Sequence, residues 1–191
     1  MNWIVLLKDQ RRWTFMVVIA LSLGAGWTLL SRVPSTAANS GAQPASPRQG
    51  FAAPDFTLDL LGGGKVTLSD LRGKPIVVNL WASWCPPCRA EMPAIEKVYQ
   101  DYKDLGLVVL GVNTTNQDSE ADAATFVRQY GLTFPIPLDR DGSVSVRYAL
   151  RGLPTTFFID RKGVIRSVVV GGPMSEAVIR SNVEDLLKET P

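Results

Sequence analysis

The chain's two cysteines stand three residues apart, in Trp84-Cys85-Pro86-Pro87-Cys88. This segment joins an apolar run, Pro75-Ile76-Val77-Val78-Asn79-Leu80-Trp81, to a stretch of helical periodicity reaching from about Cys85 to Asp104. A continuous apolar run of that kind reads as a strand buried on both faces. In the stretch after it, Met92, Ile95, Val98, Tyr99 and Tyr102 recur at helical spacing. A buried strand feeding a helix that opens on a cysteine pair leaves few architectures. The rest of the chain narrows them. Leu107–Val112 reads as a second buried strand, and 119–130 as a helix with Ala123, Phe126, Val127 and Tyr130 on one face. Pro154–Asp160 and Val164–Val170 read as strands joined by Arg161-Lys162-Gly163, and a Ser175-capped amphipathic helix runs to Lys188. Ahead of them, Asp55–Leu60 and Lys65–Leu68 flank Gly62-Gly63-Gly64 as a β-hairpin. The order predicts an α/β fold, a central mixed β-sheet flanked by helices, with the helix after the cysteines making the first parallel crossover.

A bridge between adjacent turns closes a tiny loop and adds little chain-entropy stabilisation, so the pair is better explained by redox chemistry. The first turn of a helix places cysteines at i and i+3 within reach of a disulfide. Its free N–H groups and dipole stabilise a thiolate. Cys85, after an exposed turn and ahead of the helix, is the predicted attacking thiol, and Cys88, one turn in and more buried, the resolving one. Pro86 and Pro87 are tolerated there because first-turn N–H groups have no intrahelical partner; they also stiffen the loop. A zinc site needs more Cys or His ligands, and there are none. The chain has no histidine, which removes His-ligated metal, a c-type haem motif and Cys–His nucleophilic pairs. No metal or cofactor is expected.

Trp13 to Ser31 is a run of 19 residues without a charge. As a helix it would span roughly 28 Å, close to a bilayer's hydrocarbon core. Lys8, Arg11 and Arg12 precede it, which by the positive-inside rule leaves residues 1–12 in the cytoplasm and the remainder outside. An uncleaved transmembrane anchor over 13–31 is the preferred reading. A cleaved signal peptide, with Ser35-Thr36-Ala37-Ala38 as its cleavage site, is the rival. Residues 32–50, rich in Pro, Ser, Ala and Gly, read as a flexible linker, and 51–191 as the globular domain. The net charge of +2 hides an asymmetry: five Lys/Arg against one acidic residue up to Gln49, and 15 against 17 from Gly50 onward. The globular part has no basic excess, so nucleic acid is a poor partner.

Six other positions stand out. Glu91, three residues beyond Cys88, lies on the same helical face, where a carboxylate could relay a thiol's proton; a solvated helix Glu is the plainer reading. Pro154 opens a strand after Gly152-Leu153, a place where an ordinary trans proline is the general expectation. Trp84, adjacent to the thiol, is a better lining residue than Trp81, which could fill core. Asp160 reads as a strand-end turn residue and Pro93 as a kink in the long helix.

The segment Val77-Val78-Asn79-Leu80-Trp81-Ala82-Ser83-Trp84-Cys85-Pro86-Pro87-Cys88-Arg89-Ala90-Glu91-Met92-Pro93 resembles the active-site segment of TlpA/ResA-like thiol–disulfide oxidoreductases. Gly152-Leu153-Pro154-Thr155-Thr156-Phe157-Phe158-Ile159-Asp160 resembles the segment carrying that family's cis-proline. The resemblance covers about residues 50–190 and implies a thioredoxin-like fold. It implies that Cys85 and Cys88 are the redox disulfide, that Pro154 is cis and packed against it, that Leu153 offers its backbone to a substrate chain, and that Glu91 is the family's active-site acid. Trp84, Pro86 and Pro87 would complete the substrate surface. It further implies a place on the outer face of a bacterial cytoplasmic membrane, exported disulfide clients such as apocytochrome c during haem attachment, and a membrane thiol electron donor. The Pro-Pro dipeptide departs from some members, which leaves the pathway open. A thiol oxidant or isomerase of the same compartment is the alternative, though no large helical insertion separates the halves, which favours the reductive type. A peroxidase would need a Pro-x-x-x-Thr/Ser-x-x-Cys pattern, and Ala82 and Val78 occupy the hydroxyl and proline positions. A client-binding assembly chaperone would not need the intact pair.

Overall fold

The computed structural model describes residues 13–24, Trp27 and 45–188. The chain divides into two compact units, Met1–Gly41 and Ala42–Pro191.

In the first unit, residues 13–24 form a helix (α1) with exposed apolar side chains, among them Trp13, Phe15, Met16 and Leu21. Among the described residues no helix is long and apolar enough to cross a membrane. The remainder of the expected span, apart from Trp27, lies outside the described residues, as do 1–12 and 28–44.

In the second unit, a two-stranded antiparallel hairpin comes first: β1 (Thr57–Asp59) and β2 (Lys65–Thr67), with Leu58 opposite Val66. A 3-10 turn over Leu68–Leu71 follows. Then come β3 (Ile76–Trp81), α2 (Pro86–Tyr102), β4 (Val108–Asn113), α3 (Glu120–Tyr130), a short α4 (Ser143–Arg147), β5 (Thr155–Ile159), β6 (Ile165–Val170) and α5 (Glu176–Lys188). The main sheet has the order β4-β3-β5-β6, with β3 parallel to β4 and antiparallel to β5, and β5 antiparallel to β6.

Every residue of β3 is buried, and the strand's period of two sends alternate side chains to opposite faces. Ile76, Val78 and Leu80 join Phe56, Leu68, Val144, Tyr148 and Phe157 in a core beneath the hairpin and α4. Val77 and Trp81 join Met92, Ile95 and Val98 of α2, Phe126 of α3 and Ile179, Val183 and Leu186 of α5. Each such fully buried side chain contributes on the order of 1.5–3 kcal/mol of transfer free energy. Trp81 is core, donating its indole N–H to the Gly111 carbonyl at 3.0 Å and packing on Phe126. A side chain at Gly111 would put its Cβ 2.7 Å from the Phe134 ring, so the indole approaches a bare backbone.

Asn79 lies on the α2 face between Val77 and Trp81. A polar side chain there must find partners, and those partners shape the site described below.

One boundary and one element differ from the sequence reading. Residues 45–50 are part of the folded unit and not linker: Ala45 bridges Ala52, and Gly50 N–H donates to the Ile165 carbonyl at 2.8 Å. Backbone pairing against the outer strand decides this, which composition does not register. The short α4 was missed because five residues are too few to show a period. Its first N–H donates to Asp141 at 3.0 Å, and the next two, of Val144 and Ser145, to buried Asp139 at 3.0 and 2.8 Å.

Candidate active site

Cys85 is the N-cap of α2, with extended backbone, and Pro86 and Pro87 fill the first two helical positions. Neither proline has an N–H, so Cys88 carries the first free donor of the helix. That donor points at the Cys85 sulfur, N to Sγ 3.3 Å. The two cysteines form a disulfide with Cα atoms 5.3 Å apart. In the reduced protein the same N–H and the helix dipole would favour a Cys85 thiolate.

The contrast in burial between the cysteines is narrower than expected. Cys85 is 2% exposed and Cys88 0%, because both belong to the core cluster that holds Trp81 and Met92. Access still differs. Cys85 lines a groove together with Trp84, Pro86, Pro87, Gln117, Leu150, Arg151, Gly152 and Leu153, whereas Cys88 does not.

The groove's rim is held by hydrogen bonds that the sequence does not reveal. Trp84 is 52% exposed, and its indole N–H donates to the Gln117 carbonyl at 2.8 Å. Asp118 accepts from Ser83 N–H at 2.6 Å, from Ser83 Oγ at 2.7 Å and from Asn113 Nδ2 at 2.8 Å. Burial would raise the Asp118 pKa, but the bonds from Ser83, Asn113 and Ser119 outweigh it and hold the carboxyl below its ordinary range. Arg89 Nε donates to the Ser83 carbonyl at 2.7 Å. Opposite this rim, the Leu153–Pro154 peptide is cis. Leu153 and Gly152 line the groove, and Pro154 is buried behind them.

Glu91 is 0% exposed, which excludes the solvated-helix reading. Its carboxylate accepts from Asn79 Nδ2 at 2.8 Å and from Met174 N–H at 3.0 Å. Asn79 also donates to Thr156 Oγ1 at 2.8 Å, from the residue that β5 sets opposite it. Burial pushes the Glu91 pKa up, and the bonds from Met174 and Asn79 only partly offset this. Gly172 closes the far side: a Cβ there would lie 2.7 Å from Glu91 Oε2 and 2.8 Å from Pro154 Cγ. α2, β3, β5 and the turn after β6 thus converge on one buried polar cluster beside the cysteine-bearing helix.

The structure brings Cys85, Trp84, Pro86, Pro87 and Leu153 to one groove and sets Cys88, Glu91 and Pro154 beneath it. Sequence reasoning missed Asn79, Gly172 and the Ser83–Asp118 contact. Asn79 was the one position with a signal, a lone amide in an otherwise apolar buried strand. Among the described residues no group of three His, Cys, Asp or Glu side chains could hold a metal ion.

A profile of the AhpC/TSA family matches residues 50–168. The chain is 37% identical over 163 residues to the thioredoxin-like protein YneN of Bacillus subtilis, covering 84% of this chain and 91% of that protein. It is 36% identical over 178 residues to the thiol-disulfide oxidoreductase ResA of Halalkalibacterium halodurans, covering 93% and 96%. Among solved structures, a secreted Mycobacterium tuberculosis disulfide oxidoreductase homologous to E. coli DsbE superposes with a TM-score of 0.64 at 28% identity, over 69% of this chain and 96% of that one. The thioredoxin-like fold, the cysteine pair at the head of α2 and these similarities converge: the chain belongs to the AhpC/TSA family and is a thiol–disulfide oxidoreductase of the ResA-like kind.

Proposed function

We propose that the protein reduces disulfides of exported clients on the outer face of a bacterial cytoplasmic membrane, with Cys85 attacking and Cys88 resolving. The observation that carries this reading is the asymmetry of the pair: Cys85 faces the groove and receives a helix N–H, while Cys88 is closed off. A Cys85 thiolate attacks one sulfur of the client disulfide, forming a mixed disulfide and releasing a client thiolate that takes a proton. Cys88 then gives up its proton and attacks Cys85, releasing the second client thiol and leaving Cys85–Cys88 oxidised. A membrane thiol donor reduces the pair again. Because Cys88 is shut off from solvent, its proton needs a protein acceptor. Glu91, one helical turn on and buried, is suited to that role by a pKa held above the ordinary carboxylate range.

Leu153, before the cis bond, offers backbone to an extended client strand, and Trp84, Pro86 and Pro87 form the facing wall. The exposed apolar side chains of α1 and the preceding Lys8, Arg11 and Arg12 support membrane attachment. The resemblance to TlpA/ResA-like oxidoreductases implies a reductive role, and apocytochrome c, the client it also implies, is the first to test. A Cys88→Ser variant is expected to trap the client through Cys85. Recovery through Cys88 in Cys85→Ser, and not through Cys85, would reverse the assignment. The reduction potential decides direction: a value well above roughly −200 mV would point to an oxidant or isomerase.

A further inference from the structure

We infer that the catalytic groove continues into a basic trough that receives acidic client segments, so that the protein favours disulfides flanked by Asp or Glu. This rests on the reading that client disulfides reach Cys85. Arg151 lines the groove beside Cys85. The same arginine lines a second depression with Arg48 and Arg147, over a floor that includes Phe157, Val168 and Val170. Neither depression has an Asp, Glu or Lys among its lining residues. The three cations therefore form a local excess on a unit that has none overall, with 16 Lys/Arg against 17 acidic residues from Ala45 onward.

These arginines are also unusually uncommitted. Arg48 and Arg151 have no ion-pair or side-chain hydrogen-bond partner among the described residues, and Arg147 donates only to the backbone carbonyl of Asp55. By contrast, Arg140 pairs with Asp59 and Glu120, and Arg180 with Asp101 and Glu176. The nearby carboxylates Asp55 and Asp118 line neither depression and make no ion pair with these arginines. Asp55 accepts from the N–H groups of Phe56 and Ser69, and Asp118, next to Gln117 at the groove, accepts from Ser83 and Asn113. A positive, apolar-floored trough with no internal counter-charge is complementary to an acidic chain with some apolar residues. The shared Arg151 puts it on the path of a polypeptide whose sulfur sits at Cys85, which favours a client segment over a lipid headgroup. Rim charges of this kind act chiefly on association rate and are screened by salt.

The test uses the reduced full chain in uncharged detergent and two disulfide peptides that differ only in acidic or basic flanking residues. The second-order rate of exchange is expected to be about tenfold higher for the acidic peptide at low ionic strength, falling to about twofold in roughly 0.5 M salt. Arg48→Glu/Arg151→Glu should reverse the preference, and the milder Arg48→Gln/Arg151→Gln pair should erase it if the reversed variant fails to fold. Equal rates in the wild type, or a preference that survives both variants, would overturn the inference while leaving thiol exchange intact. If neither peptide reacts, the exchange reading itself fails and takes the trough with it. Equal peptide rates, together with protection of Arg48 and Arg151 from phenylglyoxal by phosphatidylglycerol vesicles but not by phosphatidylcholine vesicles, would overturn it in favour of anionic lipid.

Discussion

Gly172 is exposed at the surface, follows β6 and precedes a proline, and by exposure alone would tolerate alanine. The geometry says otherwise. An added Cβ would meet Glu91 Oε2 at 2.7 Å and Pro154 Cγ at 2.8 Å, where carbon contacts settle near 3.5–4.0 Å. Something must move by roughly 0.7–1 Å. The proline ring is rigid, and the carboxylate is held by Asn79 and the Met174 N–H. Overpacking of this kind costs about 1–3 kcal/mol. Parting Glu91 from the Met174 N–H leaves a buried carboxyl acceptor and a buried N–H without each other, about 1–3 kcal/mol more. We expect Gly172→Ala to destabilise the oxidised protein by about 3 kcal/mol at neutral pH, a fall in midpoint of roughly 10 °C for a domain of this size. Urea and thermal denaturation measure it. A loss below about 0.5 kcal/mol would refute the claim that this glycine is fixed by close approach. A double-mutant cycle with Glu91→Ala sharpens the test: the cost of the added methyl should shrink once the carboxylate is gone, and strict additivity would show that the two positions do not meet.

The pH dependence of stability should carry the mark of Glu91. Its folded-state pKa is raised, so its contribution is fully present below the ordinary carboxylate value and is lost as pH rises through the folded value. Each tenfold change in proton affinity corresponds to about 1.4 kcal/mol. Between pH 4 and 8 the wild type should therefore lose more stability than Glu91→Gln, and parallel urea-midpoint curves would contradict the assignment. The same variant should exchange disulfides at least about tenfold more slowly if the carboxyl relays the Cys88 proton; an unchanged rate removes that role. Asp118 runs the other way. Its pKa is depressed, so its stabilisation is present above the ordinary value and lost as pH falls through the folded one. Asp118→Ala should cost about 2 kcal/mol by stranding Ser83 N–H and Asn113 Nδ2, and should change Trp84 fluorescence as the rim loosens; native fluorescence and midpoint together would show the contact to be incidental.

Much of this protein was legible in the chain alone, because the signals were local. The apolar run into β3, the helical spacing of Met92, Ile95 and Val98, and two prolines between two cysteines depend on neighbours a few positions away. Periodicity and helix-terminus chemistry therefore placed the redox pair at the head of α2. What needed the tertiary structure was whatever depends on residues far apart in sequence. Asn79 became a partner of Glu91 only because β3 alternates toward α2 and β5 sets Thr156 opposite it. Glu91 changed from a helix-surface candidate to a buried acid because Met174, 83 residues on, returns over it. Residues 45–50 passed from linker to domain through backbone bonds to the outer strand, and Cys85 lost its expected exposure under the side chains around it. The placement of the cysteine pair was thus a matter of sequence, while its burial, the hydrogen-bond partners of Glu91 and the arginines gathered near the groove were decided by long-range packing, which no short window of residues encodes.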